Sequence, residues 1–251
     1  MEETIQNNGK QPNDFPEKLL RAVSRGYTEE SKKGDKENLT PELVLRLITP
    51  ECELWHAKHN DSEFPNDPFW GIYWPGGQAL SRFILDNKDL VKNKNVLDIG
   101  SGSGASAIAS VKAGAKIVLA NDIDETSIRA ININAKLNNL CVHTIKDNVI
   151  GKDIDDIVLL INGKEISPKW DIILIGDMFY DTEFSQILFA WLVKQMKMNK
   201  IILIGDPGRH GLKELTTTSE MGSFVKVAEY SFQNIDHNGF PTASVYKLGK
   251  T

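Results

Sequence analysis

From Asn95 onward the chain alternates short, continuous apolar runs with longer mixed ones. Runs of strand length fall at 96–99, 117–120, 170–175 and 201–204, and stretches of helical length at 105–113 and 126–137. A strand with no polar alternation is one covered on both faces, so strands of this kind alternating with helices predict a parallel sheet between two helical layers. Past Gly211 the rhythm changes. Residues 224–232 and 242–248 predict two strands joined around His237-Asn238-Gly239, a hairpin that makes the sheet mixed. The piece 153–167, turning at Asn162-Gly163, predicts an excursion inserted between two elements of the sheet.

Upstream the pattern is weaker. Residues 1–38 are polar and rich in Gly, Asn, Lys and Glu, with one short apolar patch at Leu19, Leu20, Ala22 and Val23. They predict a mobile tail carrying one helix, ahead of a domain spanning 39–251. Thr40-Pro41-Glu42 offers an N-cap, a proline at the first helical position and an acid in the first turn. Leu43, Leu45, Leu47 and Ile48 would then form a short helix ending before Pro50.

Charge and composition narrow the functional classes. Twenty-nine basic side chains against 34 acidic ones give a formal charge of -5, the wrong balance for a protein that neutralises nucleic-acid phosphates. Two cysteines, Cys52 and Cys141, exclude a disulfide framework and a zinc ribbon and fit a reducing compartment. No apolar run approaches the roughly 18 residues of a membrane span. A transit peptide is Arg-rich and poor in acids, whereas Glu2, Glu3, Asp14, Glu17, Glu29 and Glu30 crowd the first thirty residues.

The sharpest local signal is Val96-Leu97-Asp98-Ile99-Gly100-Ser101-Gly102-Ser103-Gly104-Ala105, a strand entering a glycine-rich turn and then a helix. Such a turn lets a ligand approach the backbone at a helix N-terminus. Gly100, Gly102 and Ala105 satisfy the dinucleotide spacing G-x-G-x-x-A, so the motif alone is ambiguous. Asp98 tips the balance toward S-adenosylmethionine. A carboxylate at the strand end would repel a pyrophosphate and attract the ammonium of a methionine moiety. The terminal hairpin, which the usual dinucleotide fold lacks, points the same way. A plain tight turn at the glycines, with Asp98 as a capping acid, is the simpler alternative. The next strand ends in Asn121-Asp122-Ile123-Asp124, where Asp122 can accept both hydroxyls of a ribose and Asp124 can cap the following helix. Asp147 and Asn148, after the third strand, stand where an adenine amino group could be read.

Gly176-Asp177-Met178-Phe179-Tyr180 follows the fourth apolar strand, at the edge where doubly wound sheets bind ligands. Asp177 and Tyr180 would face one cleft if a helical turn began there. An acid and a phenol suit an amine nucleophile, because a lysine of ordinary pKa must give up its proton at a cost of about 4 kcal/mol near neutral pH. Asp177 could bind the arriving ammonium, also touching the cofactor, and Tyr180 could orient the lone pair. Three of the five tryptophans lie between Trp55 and Trp74. With Phe69 and Tyr73 they could wall the cleft, holding the adenosyl sulfonium or the substrate amine by cation–π attraction, or pack the preceding segment onto the sheet. Asp206-Pro207-Gly208-Arg209-His210 reads as a gate or a simple turn. Cys52, His56 and His59 have a loose ligand-like spacing but no further partner, so no metal is expected.

With these residues in view, the chain resembles the seven-β-strand, or class I, methyltransferases, and within them the electron transfer flavoprotein beta subunit lysine methyltransferases. The carriers are Leu39-Thr40-Pro41-Glu42, Trp70-Gly71-Ile72-Tyr73-Trp74-Pro75-Gly76-Gly77-Gln78, the glycine turn, Leu119-Ala120-Asn121-Asp122, Gly176-Asp177-Met178-Phe179-Tyr180-Asp181 and Ile204-Gly205-Asp206-Pro207-Gly208-Arg209. The glycine turn is common to many methyltransferases; the tryptophan-rich stretch with Gly-Gly-Gln and the Asp-Met-Phe-Tyr-Asp and Gly-Asp-Pro-Gly-Arg segments are far more specific. The resemblance implies a Rossmann-like α/β fold with a seven-stranded mixed sheet behind a helical and aromatic N-terminal segment. It implies methyl transfer from S-adenosylmethionine to lysines of the flavoprotein's beta subunit by a monomer in the mitochondrial matrix, with the cytoplasm as the alternative compartment. It places Asp177 and Tyr180 in the catalytic cleft, and Trp74, Asp98, Gly100, Gly102, Gly104, Asp122, Asp147, Asn148 and Asp177 around the cofactor. The 153–167 excursion is longer than the family's usual connection and could change access to the cleft. The rival readings are a related methyltransferase acting on another protein or a small amine, a nicotinamide-dependent oxidoreductase, and an inactive binding module.

Overall fold

The computed structural model describes residues 17, 19–21, 23–25, 39–50, 52–56, 64, 67–218, 223–232 and 239–249. Two strands, β1 (Ser24–Arg25) and β2 (Arg46–Leu47), precede helix α1 (Pro75–Asp86). The central alternation follows: β3 (Asn95–Ile99), α2 (Ala105–Lys112), β4 (Ile117–Asn121), α3 (Glu125–Leu137) and β5 (His143–Ile145). The excursion holds β6 (Leu159–Ile161) and β7 (Lys164–Ile166). Then come β8 (Ile172–Gly176), α4 (Thr182–Lys197), β9 (Ile201–Asp206), α5 (His210–Thr218), β10 (Ser223–Ser231) and β11 (Thr242–Gly249).

Seven strands form the main sheet in the order β10-β11-β9-β8-β3-β4-β5. Strands β9, β8, β3, β4 and β5 are parallel, while β11 runs antiparallel to both β9 and β10. The sheet is mixed, as the terminal hairpin predicted. Alternate residues of each central strand feed opposite cores: Val96, Ile172, Leu174 and Leu203 join α1 and α2, while Leu97, Ile99, Ile173, Ile175, Ile202 and Ile204 join α4. Asp98 shares the face of Val96, by the period of two along a strand, so it points under α1 and α2.

The helix expected over 43–48 does not form. Leu43, Leu45 and Leu47 are buried while Val44 and Arg46 are not, a period of two that suits extended chain. The backbone N–H groups of Val44 and Arg46 are taken by the side chains of Asn138 and Asn134 at 3.0 and 2.7 Å, and Leu47 pairs with Ser24. The 1–38 segment lies largely outside the described residues. Of the part described, Leu19 and Val23 are buried beside Ile48, Cys52, Phe64 and Trp70.

The excursion turns at Asn162 and Gly163, both at positive φ (52° and 75°), the signature of a type I′ hairpin turn. Trp170 and Lys200, which anchor its start by bonds to the Ile154 carbonyl (2.9 Å) and the Asp155 carboxylate (2.7 Å), lie just ahead of β8 and β9, two residues and one residue before them. That is the N-terminal edge of the parallel strands, opposite the edge that carries the glycine turn. Its anchored start therefore does not border the cleft.

Candidate active site

The site grows from three left-handed glycines. Gly100, Gly102 and Gly104 have φ of 62°, 55° and 84°, a conformation that only glycine adopts cheaply. At Gly100 an added Cβ would also meet the thioether of Met178, which would have to move. The turn is closed by Ser101 N–H on the Asn121 carbonyl (3.0 Å) and Gly104 N–H on the Ser101 carbonyl (2.8 Å). Helix α2 then starts with no side-chain cap. Over this turn lies the start of α1, and between them is a cavity lined by Tyr73, Trp74, Gly77, Asp98, Gly100, Gly102 and their neighbours up to Ser106.

Asp98 sits in this cavity as expected. Its side chain is buried and accepts a 2.6 Å bond from the Ser101 hydroxyl. Burial pushes its carboxyl up to about 7, with the Asp122 carboxylate adding to the rise and Ser101 opposing it. A carboxyl so placed is short of positive charge, which an arriving ammonium would supply. Asp122 is half-buried at the end of β4, its pKa also raised by burial. Its two oxygens accept from the backbone N–H groups of Gly102 (2.9 Å) and Asp124 (3.0 Å), so it braces the glycine turn. Asp124 caps α3 through Thr126 N–H at 2.9 Å.

Asp147 and Asn148 are exposed, and neither lines the cavity. The Asn148 side chain accepts from Ile150 N–H (3.1 Å), and the Asp147 carbonyl accepts from the Asn121 amide (2.7 Å). Asn121, which sequence reasoning passed over, thus ties the end of β4 to the loop after β5.

Asp177 and Tyr180 are not brought together. No helical turn begins at Asp177; the residue is left-handed at φ 56°, and α4 starts only at Thr182, capped by Asp181. The Asp177 side chain is buried and fully engaged. One oxygen accepts from the N–H groups of Gly76 and Gly77 at the start of α1, the other from Arg209 Nε (2.8 Å) and Nη2 (2.7 Å). Burial pushes this carboxyl up, and Arg209 with the two helix N–H groups pushes it back. Each oxygen already accepts two donors, so the contact with a substrate ammonium expected of Asp177 requires one of them to be displaced; here Asp177 holds a helix start and an arginine. The strain of a left-handed aspartate is sustained by these four bonds.

Tyr180 lies outside at the rim, 62% exposed and stacked on Phe184 at 5.8 Å. Partial burial and the carboxylates of Asp181 and Asp122 hold its phenol above the usual range, so it is protonated at neutral pH.

The aromatic cluster divides its work. Trp70 is buried against Phe64, the packing alternative, and Tyr73 bonds Thr40 at 3.0 Å. Trp74 walls the cavity, its indole N–H on the Phe69 carbonyl (2.9 Å). The cation over its ring is Arg209, at 5.3 Å. Arg209 is the residue the sequence did not single out beyond its loop. That loop is a pinned turn, Asp206 Oδ1 accepting from Gly208 N–H (2.6 Å) and Arg209 N–H (2.7 Å). Cys52 and His56 bond local backbone carbonyls, and His59 lies outside the described residues.

Comparison with known proteins fits this geometry. Residues 78–162 match the model of the ribosomal protein L11 methyltransferase (PrmA) family. The electron transfer flavoprotein beta subunit lysine methyltransferase of Homo sapiens is 40% identical over 237 residues, covering 92% of this chain and 83% of the human protein. Its Caenorhabditis elegans homolog is also 40% identical, over 84% of this chain and 90% of that one. A solved magnesium protoporphyrin IX methyltransferase from Synechocystis aligns over 70% of this chain at a TM-score of 0.49 and 14% identity. Identity of this level across nearly the whole length places the chain in the electron transfer flavoprotein beta subunit lysine methyltransferase family.

Proposed function

We propose that this protein transfers methyl groups from S-adenosylmethionine to lysine side chains of the electron transfer flavoprotein beta subunit, in the mitochondrial matrix. The observation that carries the cofactor assignment is the buried carboxyl of Asp98 at the glycine turn. It suits an ammonium and repels a pyrophosphate. The substrate assignment rests on family membership.

The residues divide the task as follows. Asp98 binds the ammonium of the methionine moiety, and its ionisation is completed by that contact. Asp122 turns from the Gly102 N–H to the ribose hydroxyls. Gly100 and Gly102 keep the turn bare so that the ligand can lie against backbone, Gly104, which does not line the cavity, lets the turn pack on Ile131, and Trp74 closes the opposite wall. Tyr180, a protonated phenol at the exposed rim, accepts a hydrogen bond from the incoming amine and aims its lone pair. When bound, the cofactor would supply an electrophilic methyl carbon on sulfonium; a lysine that had lost its ammonium proton to solvent could then take the methyl, with S-adenosylhomocysteine as the leaving group. The acceleration comes from alignment and from exclusion of water. Asp177 takes part only through the elements it holds.

The test is incubation with S-adenosylmethionine labelled in the methyl group and purified electron transfer flavoprotein, followed by mass spectrometry of the beta subunit. Labelled lysines there are the expected result. Cofactor binding without that label would move the substrate to another protein or a small amine.

A further inference from the structure

We infer that Arg209 is a positioning residue that couples Phe240, two residues before β11, to the cofactor cavity through Trp74. This deepens the methyltransferase reading and rests on it.

The guanidinium joins three parts of the chain that are distant in sequence. Its N–H groups donate to one oxygen of Asp177, at the end of β8. One face lies over the ring of Trp74, which walls the cavity and is the N-cap residue of α1. It also stands 5.3 Å from the ring centroid of Phe240, beside Pro241 and the start of β11. The other oxygen of Asp177 holds the first N–H groups of α1, the helix that Trp74 precedes. Asp206 fixes the backbone from which Arg209 projects. Every contact of the arginine is therefore braced from a second direction, except the one to Phe240, which comes from the loop between two strands.

Phe240 does not line the cavity. Its link to Trp74 is the guanidinium, which stands 5.3 Å from the centroid of each ring, and a cation attracted to two aromatic rings favours the arrangement in which both are seated. A substrate that contacts Phe240 shifts it, and the shift reaches Trp74 without touching the cavity. A cofactor that orders Trp74 likewise favours the seated Phe240, because coupling between binding sites is reciprocal.

The experiment is calorimetric titration of the full chain with S-adenosylhomocysteine, for the wild type, Phe240→Ala, Phe240→Tyr, Arg209→Lys and the Phe240→Ala/Arg209→Lys double variant. Phe240→Ala removes no atom of the cavity, yet it should weaken binding about fivefold, with Phe240→Tyr restoring it. Arg209→Lys keeps the charge that Asp177 needs but loses the planar stack, and should weaken binding at least as much. The double variant should bind like Arg209→Lys alone, because the path is already cut. Wild-type affinity in Phe240→Ala, or single effects that multiply in the double variant, overturns the coupling while leaving the methyltransferase reading intact. A wild-type protein that binds no S-adenosylhomocysteine overturns both. If Arg209→Lys does not fold, the two Phe240 variants still decide.

Discussion

Gly76 and Gly205 meet backbone to backbone: a Cβ built on either would run into the carbonyl oxygen of the other. The first turn of α1 is thereby pressed onto the end of β9, with Asp177 filling the remaining space beside Gly76. Gly205→Ala or Gly76→Ala must displace backbone rather than a side chain, and should destabilise the protein by about 1–3 kcal/mol or more, the usual cost of overpacking. Gly77→Ala is the control. Nothing lies within 4 Å of the added methyl, and alanine is the better helix former, so its unfolding midpoint should equal or exceed that of the wild type. Urea denaturation of the three variants separates these outcomes.

Asp177→Ala removes the partner of a mostly buried guanidinium and uncaps α1 at once. Breaking a buried pair by deleting one member costs about 3–5 kcal/mol, and the neighbouring Trp74 loses its support. Stability and cofactor affinity should therefore fall together, followed by denaturation and calorimetry. A direct hold on the amine would instead make methyl transfer vanish while binding survived. That outcome, with unchanged stability, would return Asp177 to direct contact with the amine.

Cofactor binding should depend on pH through Asp98. With its carboxyl pushed up to about 7, the free protein holds a proton there in acid that an ammonium must displace. Affinity should rise with pH and level off above about 7, changing about tenfold per unit below it. Asp98→Asn should bind weakly and with no such slope. Stability has the opposite sign. The folded pKa of Asp98 lies above the unfolded value, so the folded state holds more protons, and this contribution declines as pH rises from about 4 to about 7. Asp206, pushed up to about 6, adds in the same direction. Thermal unfolding of the ligand-free protein and of Asp98→Asn across that range reads the difference.

Tyr180→Phe tests the rim. The ring is exposed and its stack on Phe184 survives the change, so stability and cofactor affinity should be unaltered. If the hydroxyl aims the amine, kcat should drop by about a hundredfold. An unchanged kcat removes Tyr180 from the mechanism.

The strands of the parallel sheet were legible because residues such as Ile172 to Ile175 are apolar on both faces, and only a doubly covered strand reads that way. The glycine turn, Asp98 and the cap at Asp124 were legible because their chemistry is local. What was hidden depended on contacts distant in sequence. Leu43, Leu45 and Leu47 fit a helix start at Thr40-Pro41 until Asn134 and Asn138 claim the intervening N–H groups. Helix α1 opens Pro-Gly-Gly, a poor helical start by propensity, and the reason for Gly76 lies in Gly205, 129 positions away by their numbers. Asp177 and Tyr180 looked like partners by spacing. The positive φ at Asp177 turns its side chain inward, and its partner Arg209 comes from a loop whose sequence marked the family but not the residue it would pair with.

The cofactor site between α1 and the glycine turn is tested most directly by a crystal structure with S-adenosylhomocysteine. The expected complex has the ligand's amino group within about 3 Å of the Asp98 carboxylate, the ribose hydroxyls on Asp122, and Gly102 N–H released from it. A ligand seated elsewhere, or one that leaves Asp98 facing Ser101 alone, would contradict the assignment.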